Sequence, residues 1–131
     1  MSRESVRYPI LDSASENGAG NSAFATDFRH CIVTVDSSPD ADMTLKFLGS
    51  NADPGNDPDF DSPQSVENNW DTVQVNNYGN GDAVTGDTGL VISGETHAQF
   101  EFDTNGLDWV TARIFSYVAG EVTVRVNLFN E

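Results

Sequence analysis

From Phe28 onward, apolar side chains recur at every second position rather than at every third or fourth. "CIVTV" sets Cys31, Val33 and Val35 on one side of an extended chain, and "MTLKF" sets Met43, Leu45 and Phe47 against Thr44 and Lys46. "WDTVQV" offers Val73 and Val75 against Thr72 and Gln74, and "LVIS", "AQFEF" and "LDWVTARIFSYV" follow. "EVTVRVNLF" then alternates Val122, Val124, Val126 and Leu128 with Thr123, Arg125 and Asn127. Turn residues punctuate these runs at "SSPDAD", "NNYGNGD", "SGE", "TNG" and "VAGE". No stretch carries a capped helical stripe. About seven short strands at such spacing predict an all-β chain, an antiparallel β-sandwich or jelly roll.

The pattern also predicts local geometry. "TNGLDW" and "VAGEV" read as tight hairpin connections with Gly106 and Gly120 at positive φ, and the last two strands then pair as a long hairpin. On the first of those strands Trp109, Phe115 and Tyr117 share one parity, while Val110, Ala112 and Ile114 share the other. A strand apolar on both sides needs a second cover, supplied by a subunit partner or by the N-terminal segment. That segment, residues 1–24, is small, polar and Gly-rich ("SASENGAGNSA") around one apolar island, "YPIL". It reads as an extended arm preceding a sandwich domain of residues 25–131. The arm is either a disordered tail or a segment that orders against a neighbour through Tyr8, Ile10 and Leu11.

Composition narrows the partners. At 131 residues the chain fits one domain with a real core. Twenty-one acidic residues against six basic ones leave a net charge of −15, a field that repels nucleic acid and anionic lipid and favours basic protein surfaces and divalent cations. Cys31 is the sole cysteine, so no intrachain disulfide forms, and inside "CIVTV" it reads as a small buried hydrophobe. No apolar run approaches the roughly 20 residues of a membrane-spanning helix. The first residues lack the apolar core of a signal peptide, which predicts synthesis in the cytoplasm.

Candidate chemistry is sparse. "NADPGNDPDFDSP", residues 51–63, places Asp57, Asp59 and Asp61 at alternate positions, as a calcium loop begins. Counted from Asp57, however, position six is Ser62 rather than Gly and position twelve is Asn68 rather than Glu. The stretch reads as a proline-stiffened connector, with a looser cation site on Asp53, Asp57, Asp59 and Asp61 as the rival. His30 and His97 sit at strand starts, no nucleophile, metal-protease or phosphate-loop signature is present, and "GNGDAVTGDTG" reads as turns. No catalytic residue, cofactor or metal ligand is therefore assigned. Trp70, Tyr78 and Phe60 near polar loops make a sugar-stacking platform the competing binding chemistry.

The stretch "LKFLGSNADPGNDPDFDSPQSVENNWDTVQV", with the later "GDTGLVISG" and "LDWVTARIFSYVAGEVTVRVNLFN", resembles small virion structural proteins of tailed bacteriophages. The likeness runs over residues 24–130 and lies in structural punctuation rather than in reactive groups. It implies a particle component, first of all a capsid decoration protein on the outside of a phage head. The alternatives are a tail, collar or fibre protein, or a carbohydrate-binding host-recognition module. It implies capsid or other virion proteins as partners and self-association as a cyclic oligomer, a trimer by preference, with the virion as final location. Tyr8, Ile10, Leu11 and Phe24 are the expected arm anchors, and Phe115, Tyr117 and Phe129 the expected oligomer contacts.

Overall fold

The computed structural model describes residues 5–51, 70–104 and 106–130. The Asp-rich stretch from Ala52 to Pro63, with Phe60 and Asn68, lies outside the described residues, so the cation-site alternative has no structural reading. Among the described residues there is no helix. In chain order the strands are β1 (Ser5–Ala14), β2 (Gly18–Ala19), β3 (Ala23–Phe24), β4 (His30–Ser37), β5 (Asp42–Ser50), β6 (Trp70–Thr72), β7 (Val75–Asn77), β8 (Ala83–Val84), β9 (Leu90–Ser93), β10 (His97–Asp103), β11 (Trp109–Ala119) and β12 (Val122–Phe129). They form two sheets. The first runs β1-β12-β4-β10-β7-β8; the second runs β2-β11-β5-β6, with β3 also on β11 and β9 also on β5. Neighbours pair antiparallel throughout, for example β4 with both β10 and β12.

The period-two pattern explains the layering. Cys31, Val33 and Val35 of β4 and Val122, Val124, Val126 and Leu128 of β12 are buried on one wall. Met43, Leu45 and Phe47 of β5 and Val110, Ala112 and Ile114 of β11 are buried on the other. Each fully buried Val, Leu or Ile contributes about 1.5–3 kcal/mol, so these rows hold the two sheets face to face. Phe47 and Phe100 meet across the gap with ring centroids 5.9 Å apart. Cys31 is fully buried among them, and burial pushes its thiol far above the ordinary cysteine range, so it is an unreactive core residue.

Two connections differ from the hairpins expected from sequence. β10 and β12 belong to the first sheet and β11 to the second, so "TNGLDW" and "VAGEV" are corners between sheets and the last two strands do not pair. Gly106 and Gly120 do have positive φ, at 90° and 84°. A left-handed glycine turns the chain equally well into a hairpin or an arch, so the turn chemistry does not decide between them. The second corner is set by packing. β11 takes a left-handed residue at Ser116 (φ 52°) and loses register with β5 between Phe115 and Ala119. Gly120 then nests on the Ser38–Ala41 turn, where a Cβ would run into Ala41 Cα. Ser38 N donates to Glu121 O (3.0 Å), and Glu121 N donates to Ser38 Oγ (2.9 Å). The turn thereby hands β12 to β4, where its valine row is buried.

The segment read as an extended arm lies inside the sandwich over most of its length. β1 is an edge strand on β12, from Ser5 opposite Phe129 to Ala14 opposite Val122, with register shifts around Pro9–Leu11 and Leu11–Ala14. The first irregularity turns both Ile10 and Leu11 inward, at 2% and 7% exposure. The chain then crosses to the second sheet, where β2 and β3 pair with β11. Asn21 N donates to Ile10 O at 2.9 Å, and Gly20 lies so close to that carbonyl that no side chain fits. An apolar island between small residues thus marks a strand that changes sheets.

Candidate functional site

Each sheet turns its second face outward, and the two outer faces are chemically different. On the second sheet, the register sets Arg113 opposite Lys46 and Phe115 opposite Thr44, with Val91 of β9 beyond Thr44. Lys46 Nζ lies 4.7 Å and the Arg113 guanidinium carbon 5.2 Å from the Phe115 ring centroid. Like charges directly opposite on a sheet oppose each other, and the ring offsets part of that cost through cation–π attraction. Val91 is 67% exposed beside this pair. The result is a basic-aromatic patch on a chain of net charge −15. Further along the same face Leu48 and Thr111, opposite each other, are buried, and Thr111 Oγ1 donates to Asn21 O at 2.8 Å. Phe24 stacks edge-on against Trp109 with centroids 5.0 Å apart.

The outer face of the first sheet is polar and open. Its rows cross from β1 to β7: Arg7, Asn127, Ile32, Glu101 and Asn76 in one, and Pro9, Arg125, Thr34 and Gln99 in the next. Both histidines lie at its margins. His30 Nδ1 is 3.2 Å from Asp103, and its ring packs against Phe129 at 5.4 Å. His97 Nδ1 is 2.8 Å from Asp36 and its Nε2 3.1 Å from Glu95; the hydrogen bonds to Asp36 and then Glu95 hold its pKa above the ordinary 6.5. Three shallow depressions of about 470, 560 and 490 Å³ adjoin one another here and share Ile32, Thr34, Gln99 and Tyr78 among their walls. Tyr78 is 59% exposed. Among the described residues no three His, Cys, Asp or Glu side chains are grouped to hold a metal ion.

The seven residues singled out from sequence do not converge. Ile10 and Leu11 are core, and Tyr8, of the same parity as Val6 and opposite Val126, lies at the sheet edge with 36% exposure. Tyr117 packs against the core and its hydroxyl donates to Gly120 O at 2.9 Å, which gives it a role inside its own chain at the second corner. Phe129 belongs to the first sheet's outer face, whereas Phe24 and Phe115 share the second sheet's outer face at opposite ends of β11. Sequence reasoning missed the pairing of Lys46 with Arg113 and the diagonal of Arg7 with Arg125, because strand register is what brings each pair together. A weak signal for the buried outer leucine was present: in "KFLG", Leu48 follows inward-facing Phe47 and breaks the alternation.

No protein-family model matches the chain, and no characterised protein matches it by sequence. Solved structures do. The SPBc2 prophage-derived protein YomS superposes with a TM-score of 0.73 at 15% identity, covering 99% of this chain and 96% of that one. The PBSX exported protein XepA superposes equally well, with a TM-score of 0.73 at 16% identity over 99% of this chain. That match covers 39% of XepA, so the chain corresponds to one part of that longer protein. At these identities the likeness establishes a shared antiparallel β-sandwich fold.

Proposed function

We propose that the chain is a non-enzymatic structural protein of a phage particle, acting as a decoration protein on the outside of a head. The observation that carries this reading is that a prophage-derived protein shares the fold over nearly the whole of both chains. The charge supports an outward position, since a net charge of −15 is repelled by packaged nucleic acid. The Lys46–Arg113–Phe115 patch supports attachment: it is locally basic, partly apolar, and complementary to acidic protein surface, including that of a second copy. Binding is then purely physical. Many copies on a repeating lattice stabilise it by mass action, and self-association, with a trimer preferred, adds avidity.

The test is co-sedimentation of the purified protein with assembled shells, alongside light scattering of the free protein. Specific uptake on shells is expected, and Arg113→Glu is expected to lower it at least tenfold while leaving the melting midpoint nearly unchanged. Equal uptake of both forms would remove the patch from the interface. Uptake on tails or fibres and not on heads would replace decoration by the alternative position in the particle.

A further inference from the structure

We infer that the outer face of the first sheet is a binding site for an acidic saccharide, with Arg7 and Arg125 gripping a sugar carboxylate. The register sets Arg7 opposite Asn127 and Arg125 opposite Pro9, so the two arginines are diagonal neighbours on adjacent strands with both side chains on the outer face. Such neighbours lie about 7–8 Å apart at the backbone, close enough for both guanidinium groups to reach one carboxylate. Neither arginine forms an ion pair with a described residue, although the chain carries 21 acidic side chains against six basic ones. The nearby histidines, by contrast, are each held by carboxylates. Two unpaired guanidinium groups side by side make a local positive spot, and at physiological salt the remaining charges are screened beyond about 8 Å. An anion is therefore attracted here despite the global charge, and a singly charged carboxylate is less opposed by that charge than a doubly charged phosphate ester.

The rest of the depression is neutral and hydrogen-bonding. The side chains of Thr34, Gln99 and Asn127 line it and take no hydrogen bond from a described residue; Asn127 Oδ1 is buried without a partner. A buried acceptor left unpaired is destabilising, and rotation of the Asn127 amide toward the depression would let a ligand hydroxyl satisfy it. Ile32 gives the floor an apolar spot suited to the C–H face of a sugar ring. Three strand spacings away from β12, about 14 Å, Tyr78 stands exposed over the adjoining depression as a stacking surface. Glu101 and Asp103 line one adjoining depression and Asp36 the other, so a negative charge is accepted at the arginines alone. The anion grip, the row of amides and a hydroxyl, and the aromatic platform together fit an oligosaccharide of two to three rings whose carboxylate lies on the ring at the arginines. This site is independent of where in a particle the protein sits.

The probe is a defined neutral oligosaccharide ending in a single uronic acid, titrated by calorimetry against its methyl ester and against inorganic phosphate. The acid form is expected to bind at least tenfold tighter than the ester. Arg7→Gln and Arg125→Gln are each expected to weaken it about fivefold to tenfold, and the double variant to abolish the preference. Tyr78→Ala is expected to weaken both forms equally. Both arginines are exposed, so an unchanged melting midpoint certifies the fold. Equal binding of acid and ester, equal binding of phosphate, or an unaltered double variant would each overturn the inference. A double variant that instead changed the oligomeric state, with no uronate binding by the parent, would also overturn it and give this face to a second copy.

Discussion

The two outer faces of the sandwich differ in how far their residues are packed by their own chain. On the second sheet most outward residues are packed by their own chain: Leu48 is buried, Thr111 bonds Asn21, Phe24 closes on Trp109, whose Nε1 is nonetheless buried without a partner, and Phe115 lies beside two cations. On the first sheet the centre of the face is unengaged, with two arginines, a threonine and two amides lacking partners among the described residues. One face is thus part of the packing, with a basic-aromatic patch beside it. The other is a prepared but empty surface. Period-two strands produced both, so polarity along the chain alone does not tell a face that supports the fold from one free to bind.

Substitutions can break that distinction. The largest contrast is expected between Leu48→Ala and Ile32→Ala, two truncations on nominally outward positions. Leu48→Ala should cost about 2–5 kcal/mol, as a fully buried leucine does, and Ile32→Ala about 1–2 kcal/mol, as a partly buried residue does. Equal midpoints in urea unfolding would mean that the second face is no more built into the fold than the first. Next in size, Gly120→Ala tests the corner that assigns β11 and β12 to different sheets. A left-handed backbone and a collision with Ala41 should together cost about 2–4 kcal/mol, measured by the same unfolding curves. A near-neutral result would show the corner to be tolerant.

The smallest effect concerns the rim of the first face. The carboxylates of Asp36 and Glu95 favour protonated His97, so its folded pKa lies above 6.5. The stabilisation is fully present below the unfolded value and is lost as pH rises through the folded one. His97 is exposed, so the effect is slight: the melting difference between the parent and His97→Gln should shrink from about pH 6 to about pH 9. A constant difference would show that the pair carries no proton-linked stability.

Much of this fold was legible because β4 and β12 alternate without a break and β5 alternates as far as Phe47, and alternation is the direct signature of a strand with one buried side. Gly106 and Gly120 were legible as left-handed positions for an equally local reason. What failed was the assignment of strands to sheets. That choice depends on which distant wall buries a given row, and the glycine at a corner is the same residue that would close a hairpin. β1 was misread because Ser, Asn and Gly around "YPIL" dilute its apolar signal, while its pairing partner lies at the far end of the sequence. The candidate binding face was illegible for a related reason. Arg7 and Arg125 are unremarkable singly and acquire meaning only when register sets them side by side.

That far pairing also governs how the chain becomes a protein. Residues 5–24 close the free edge of β12 in one sheet and of β11 in the other, and Ser13 N reaches Thr123 Oγ1 across 110 positions of sequence. During synthesis the N-terminal strands emerge long before the surfaces they need, so the second sheet stays incomplete until β11 has emerged and the first until β12 has. Folding of the sandwich is therefore delayed, and its N-terminal strands stay in need of protection until β11 and β12 arrive to pair with them.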